Sequence, residues 1–253
     1  MPRGVAVNVG ANTNIPGVRG PIYPDGRFRY VPIPEREPTA ESVPTYADLD
    51  LDVDLPAEAL DERVHLDPTF AEYPCCDRYT YGDDYAAKAG PLSELSAGDY
   101  VFFYATLSTA VEIDGDADGP VPDAPADWIA PEWGAYVIGQ FRLARDPLTG
   151  DEYRVLDPDE RAWFDANAHV RRETFDARVL LAGDPEESAL YDRAIPLSER
   201  DAGSDANRLV TELSSDSGRG PWWRRPMRFD ADGVEELLAI RENRAVERCF
   251  AAP

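Results

Sequence analysis

One run constrains this chain more than any other: Ser96-Ala97-Gly98-Asp99-Tyr100-Val101-Phe102-Phe103-Tyr104-Ala105, a polar turn feeding an unbroken aromatic and β-branched stretch. A strand with no polar alternation has no face to give to water, so it belongs at the centre of a sheet, covered on both sides. Trp133 to Leu143 has the pattern of its partner, with Ala135, Val137, Gly139, Phe141 and Leu143 alternating against Tyr136, Ile138, Gln140 and Arg142. Val5 to Val9 and Val179 to Ala182 read as further strands, and Pro24-Asp25-Gly26 as a turn into a strand at 27–33. Pro32 and Pro34 would place that strand at an edge.

Helix signals are short. Asp83 to Ala89 reads as a helix closed by Gly90, and Asp157-Pro158-Asp159-Glu160 and Asp184-Pro185-Glu186-Glu187 each carry a capping aspartate, a first-position proline and a glutamate at the third. Val234, Leu237, Leu238 and Arg241 recur at helical spacing behind an Asp230 cap. Proline- and acid-rich stretches near 35–62 and 112–131 read as surface loop insertions. Strands alternating with short helices give a single α+β domain over 1–253, built on a mixed, mostly antiparallel or barrel-like sheet.

The formal charge of −24 spread over a chain with 43% hydrophobic residues describes an acidic surface on a folded protein. Lys88 is the single lysine among 25 basic residues, a balance of Asp, Glu and Arg suited to concentrated salt, so a halophilic cytoplasm is the expected home. Phosphate contacts lose affinity steeply with salt, so recognition there must lean on stacking and hydrogen bonds. No apolar run reaches the roughly 20 residues that span a bilayer, and the start of the chain lacks the pattern of a secretory signal. Cys75, Cys76 and Cys249 make neither a disulfide framework nor a CxxC zinc pattern, and reduced thiols are expected.

Candidate chemistry is scattered along the chain. Asp114, Asp116, Asp118 and Gly119 open like an EF-hand loop, but Pro125 stands where the bidentate glutamate is needed, so no residue is assigned to a metal. His65-Leu66-Asp67 puts an imidazole and a carboxylate on one side of an extended segment, a pair able to relay a proton. Asn167-Ala168-His169-Val170-Arg171-Arg172 offers amide, imidazole and two guanidiniums suited to an anion or the polar edge of a base. The alternative for each cluster is structural: a histidine that satisfies a buried backbone group, and arginines that pair with the acidic surface. Trp222-Trp223-Arg224-Arg225 supplies aromatic planes beside cations, although tryptophan is also a core residue. Tyr81 and Asp84 precede the expected helix, where a carboxylate is stabilised by the dipole without any catalytic duty. Arg19 and Asp25 sit in the irregular loop after the first strand. P-loop, GxGxxG, GxSxG and HExxH motifs are absent.

Gly17-Val18-Arg19-Gly20-Pro21-Ile22-Tyr23-Pro24-Asp25-Gly26, Val31-Pro32-Ile33-Pro34, His65-Leu66-Asp67-Pro68, Gly98 to Tyr104 and Tyr136-Val137-Ile138-Gly139 occur in that order over residues 4–172. In this order the chain resembles the third of the nucleotide-modification-associated domain families, parts of systems that alter bases in DNA. The central strand pair also resembles PUA-like barrels of the EVE and ASCH types, which bind nucleic acids and often modified bases. The resemblance implies a nucleotide or nucleic-acid partner, DNA before RNA, and leaves the reaction and the cofactor unspecified. Local chemistry therefore nominates the site: His65, Asp67 and His169 as acid/base groups, with Arg19, Asp25, Tyr81, Asp84, Tyr104, Asn167, Arg171, Arg172, Trp222, Trp223 and Arg224 as binding groups.

Three functions remain open at this point: an enzyme or binder acting on nucleotides or bases, a non-catalytic PUA-like reader, and a protein-interaction domain. An enzyme should gather His65, Asp67 and His169 around one pocket with a hydrogen-bonded chain. A reader should show an aromatic pocket with an arginine rim and no such chain, and an interaction domain neither.

Overall fold

A computed structural model describes residues 1–15, 18–110 and 124–250. The acidic stretch carrying Asp114, Asp116, Asp118 and Gly119 lies outside the described residues. The strands are β1 (Gly4–Asn8), β2 (Pro21–Ile22), β3 (Thr80–Asp83), β4 (Tyr100–Thr109), β5 (Trp133–Arg142), β6 (Leu148–Thr149), β7 (Val179–Ala182), β8 (Ala189–Pro196) and β9 (Met227–Phe229). The helices are α1 (Tyr46–Leu49), α2 (Ala86–Ser93), α3 (Gly150–Val155), α4 (Pro158–Ala162), α5 (Ala168–Arg171), α6 (Arg208–Thr211) and α7 (Ala231–Asn243).

The aromatic run is β4, and it is central: the larger sheet runs β8-β5-β4-β1-β9, with β2 also on β4. Val101 to Tyr104 are fully enclosed, and Phe103 meets Phe141, Phe70 and Tyr81 edge-on. β1 pairs with β4 in parallel, while β5, β8 and β9 pair antiparallel with their neighbours. A second sheet, β3-β7-β6, is antiparallel. The fold is α+β with a mixed, mostly antiparallel sheet. Its path is open, so among the described residues no barrel closes.

Several local expectations change. Residues 27–33 form no strand; Phe28 makes one isolated bridge to Ile22, because prolines 32 and 34 have no N–H to extend a ladder. Asp184-Pro185 begins a turn rather than a helix, with Asp184 Oδ1 accepting from Glu186 N–H at 2.8 Å. α2 runs on through Gly90 and Pro91, the proline standing six residues into the helix. The Asp157 and Asp230 caps form, accepting from Glu160 and Gly233 N–H at 2.9 and 3.0 Å.

The acidic segment after Pro34 is no mere surface loop. It buries Glu35, Tyr46, Leu49 and Leu51, and its backbone makes two pairings that build the site. On one side His65 N–H donates to Ile33 O and Glu35 N–H to Arg63 O, at 2.9 and 2.8 Å. On the other Ala40 N–H donates to Arg171 O and Glu173 N–H to Pro38 O, at 2.9 and 3.0 Å. The segment clasps residues 63–65 to residues 171–173.

Candidate functional site

His65 arrives on the clasped segment 63–65, and Asp67 follows it two residues later, past buried Leu66. Thr69 N–H donates to Thr80 O at 2.9 Å, which seats Asp67 against β3. There Gly82 N–H lies 3.0 and 2.9 Å from the two Asp67 carboxylate oxygens. His169 comes from α5, whose N-cap Asn167 accepts from His169 N–H at 3.0 Å and donates to Asp67 Oδ1 at 3.1 Å. A short helix four residues long thus hands its imidazole to a carboxylate a hundred residues earlier in the chain. Gly82 permits the approach: a Cβ there would stand 2.7 Å from His169 Cδ2.

Each imidazole is held from behind by its own carboxylate. His65 Nδ1 lies 2.6 Å from Glu35 Oε2, and His169 Nδ1 lies 2.7 Å from Asp176 Oδ1. An ionised carboxylate can only accept, so both Nδ1 atoms carry the proton and both Nε2 atoms present a lone pair in the neutral rings. Those Nε2 atoms face Asp67 Oδ2 at 3.8 and 3.4 Å, too far for good hydrogen bonds. Arg172 lies between the two backing carboxylates, 3.0 Å from Glu35 and 2.6 Å from Asp176. The arrangement is nearly symmetric: one shared aspartate, two imidazoles, two backing acids and one arginine joining them.

Burial works against every charge here, and the partners decide the outcome. Burial would raise Glu35, but the His65 and Arg172 contacts prevail and hold it at about 2. Asp176, also opposed by burial, is lowered by His169 and Arg172. Asp67 is pushed up to about 8 by burial, although His169 and the Gly82 N–H pull the other way. Burial lowers His65 despite Glu35, whereas Asp176 and Asp67 overcome burial and raise His169.

The cluster lines a pocket of about 270 Å³ whose other walls include Asn8, Tyr81, Asp84, Tyr85, Lys88, Arg172 and Arg224. Lys88 Nζ donates to Asn8 O at 3.1 Å and stands 3.6 Å from Asp83. Tyr81 is buried with its hydroxyl on Asp83 Oδ2 at 2.7 Å.

The remaining candidates lie elsewhere. Arg171 turns away from Arg172, donating to Asp165 O at 3.0 Å. Arg19 lies over the Trp133 ring, 5.0 Å from its centroid. Asp25 pairs with Arg27 at 2.7 Å and lines a different hollow. Tyr104 gives its hydroxyl to Arg225 O at 2.7 Å. Trp222 is fully buried, its indole N–H on Ser204 O at 2.8 Å, and Trp223 packs edge-on against Trp133 and Trp222. Glu35, Asp176, Gly82 and Lys88 belong to the neighbourhood of the cluster and were not among the sequence candidates.

The family model for nucleotide modification associated domain 3 matches residues 3–239, nearly the whole chain. The chain belongs to this family. By its name the family is associated with nucleotide modification, and both histidines and all of the acids around them fall within the matched span. No curated protein and no solved structure matches the chain. Among the described residues, no helix of this family member is long and apolar enough to cross a membrane.

Proposed function

We propose that this protein binds a nucleotide or an extruded base in the 270 Å³ pocket and acts on it, as part of a system that modifies bases in DNA. His65, Asp67 and His169 form the reactive centre, Lys88 and Arg224 supply positive charge to phosphate or polar groups, and Tyr81 and Tyr85 flank the base. A base within a duplex would have to leave its stack to reach so small a space.

One observation carries the reading: three polar side chains from two distant segments, each at most 4% exposed, converge on one pocket, and each is oriented by a further hydrogen-bond partner. Buried, oriented and mutually perturbed titratable groups at a pocket wall are the usual mark of a chemical site. Family membership supports the substrate class. The carboxylates that fix the two imidazoles, Glu35 and Asp176, are joined through Arg172, and this orientation of both rings toward Asp67 favours chemistry over passive reading.

The test is binding of free nucleotides and of oligonucleotides carrying modified bases, at molar salt, by the parent chain and by His65→Ala and His169→Ala. Loss of binding or turnover in both variants, with circular dichroism unchanged, is the expected result. Two folded variants that bind and act like the parent would remove these residues from the site.

A further inference from the structure

We infer that His65 Nε2, His169 Nε2 and Asp67 Oδ2 are the ligands of a divalent transition-metal ion. This deepens the proposed function, since it names what sits in that centre, although the metal site itself stands on its own geometry. The three donor groups offer ligand atoms that all lie within 4.8 Å of one another, and all three residues are buried. The His169 Nε2–Asp67 Oδ2 and His65 Nε2–Asp67 Oδ2 separations are 3.4 and 3.8 Å. Ligands about 2.0–2.2 Å from a tetrahedral metal stand roughly 3.3–3.6 Å apart, so a small contraction closes the set.

The outer contacts point the same way. Metal-bound histidines characteristically donate the other ring N–H to a carboxylate, which fixes the tautomer and turns the free lone pair toward the metal. Both histidines have that partner, Glu35 for one and Asp176 for the other, at 2.6 and 2.7 Å. Asp67 is oriented in turn by Gly82 N–H, which reaches both carboxylate oxygens, and by Asn167 Nδ2 on Oδ1.

A shared proton is the simpler occupant, and it serves the geometry less well. A proton bridges two atoms, whereas three converge here, and the gaps exceed good hydrogen-bond lengths. Two imidazoles and one carboxylate suit zinc or iron(II) better than magnesium or calcium, which prefer all-oxygen sets. Three protein ligands leave at least one position open, and all three residues line the pocket, where the metal would polarise a bound water or substrate oxygen.

The experiment uses the full chain, stripped with chelator and titrated with zinc or cobalt(II) in molar salt and excess magnesium, so that the acidic surface is already satisfied. The expected result is one tightly bound ion per chain, with the visible absorption of low-coordinate cobalt. His65→Ala and His169→Ala abolish it, and Glu35→Gln or Asp176→Asn weakens it by roughly 10- to 100-fold. A folded, stripped parent chain that takes up no stoichiometric ion overturns the inference, and so does uptake unchanged in folded His65→Ala and His169→Ala. Nucleotide binding measured on the stripped chain separates the two readings. Binding without any metal uptake leaves the function standing and removes the metal, whereas metal uptake by a chain that binds no nucleotide supports the metal and removes the substrate class.

Discussion

The hollow of about 440 Å³ between β8 and α7 is roomier than the pocket of about 270 Å³ at β3 and α5, yet the two are built from different material. The larger is lined by Trp128, Ile195 and Ile240 with Asp25, Arg193, Arg241 and Arg244, and its charges are spent locally. Arg241 lies over Tyr191, and Arg244 pairs with Asp192 while both side chains remain about two-thirds in water, at 65% and 69% exposed. The smaller pocket keeps Glu35, His65, Asp67 and His169 almost dry, and it accepts the desolvation cost of doing so. Volume shows where a molecule can fit. Buried titratable groups held in fixed orientations show where chemistry can occur.

The contrast predicts unequal responses to substitution. The largest is expected at Arg172, because Arg172→Met takes the guanidinium from buried Glu35 and half-buried Asp176 and leaves each with its histidine alone. That should cost about 3–5 kcal/mol in urea denaturation. Arg244→Met in the larger hollow breaks a solvated pair and should cost about 1 kcal/mol or less by the same measurement. Equal losses would break the comparison.

Acid should discriminate next. Glu35 is held at about 2 against an ordinary 4.5, so its contribution is complete above about 4.5 and is lost as pH falls toward 2. For the chelator-stripped chain, Glu35→Gln should flatten the acid limb of stability between those values, by about 2–3 kcal/mol at its fullest. Trp128→Ala should leave the slope of that limb unchanged.

Smaller still is the effect of Gly82→Ala, whose new Cβ would press on His169 Cδ2 and on Leu180. A loss of about 1–3 kcal/mol is expected from overpacking, together with weaker metal uptake although no ligand is removed. An unchanged metal affinity would mean that His169 can shift without consequence. The smallest response concerns thiols. Burial pushes Cys249 and Cys76 up to about 12, so native-state alkylation at neutral pH should be confined to exposed Cys75, as read by mass spectrometry.

What was legible in the sequence follows from the same physics. β4 and β5 could be read because a strand buried on both faces leaves an unbroken apolar record, and the Asp157 and Asp230 caps because a cap is a local bargain between neighbouring residues. The His65-Leu66-Asp67 pairing was visible as an alternation, and His169 stood out as the second of two histidines. Glu35 and Asp176 were not legible. Each is one acid among 49, and an acid-rich surface hides the few carboxylates that turn inward. Glu35 meets His65 and Arg172 across 30 and 137 positions, which no local pattern encodes, and Asp176, only seven positions from His169, carries no mark that sets it apart from its acidic neighbours. Trp222 and Trp223 drew attention as stacking platforms because composition records that an aromatic is present, not which way it faces. Arg171 and Arg172 are neighbours in the chain but leave it in different directions, so one joins the cluster and the other a separate rim.

The clasp formed by residues 33–40 also sets a schedule for biosynthesis. Its two grips reach to Arg63 on one side and Glu173 on the other, so a ribosome that has made the first half of the polypeptide has delivered one imidazole and no site. The site is completed only when α5 has cleared the exit tunnel and docked.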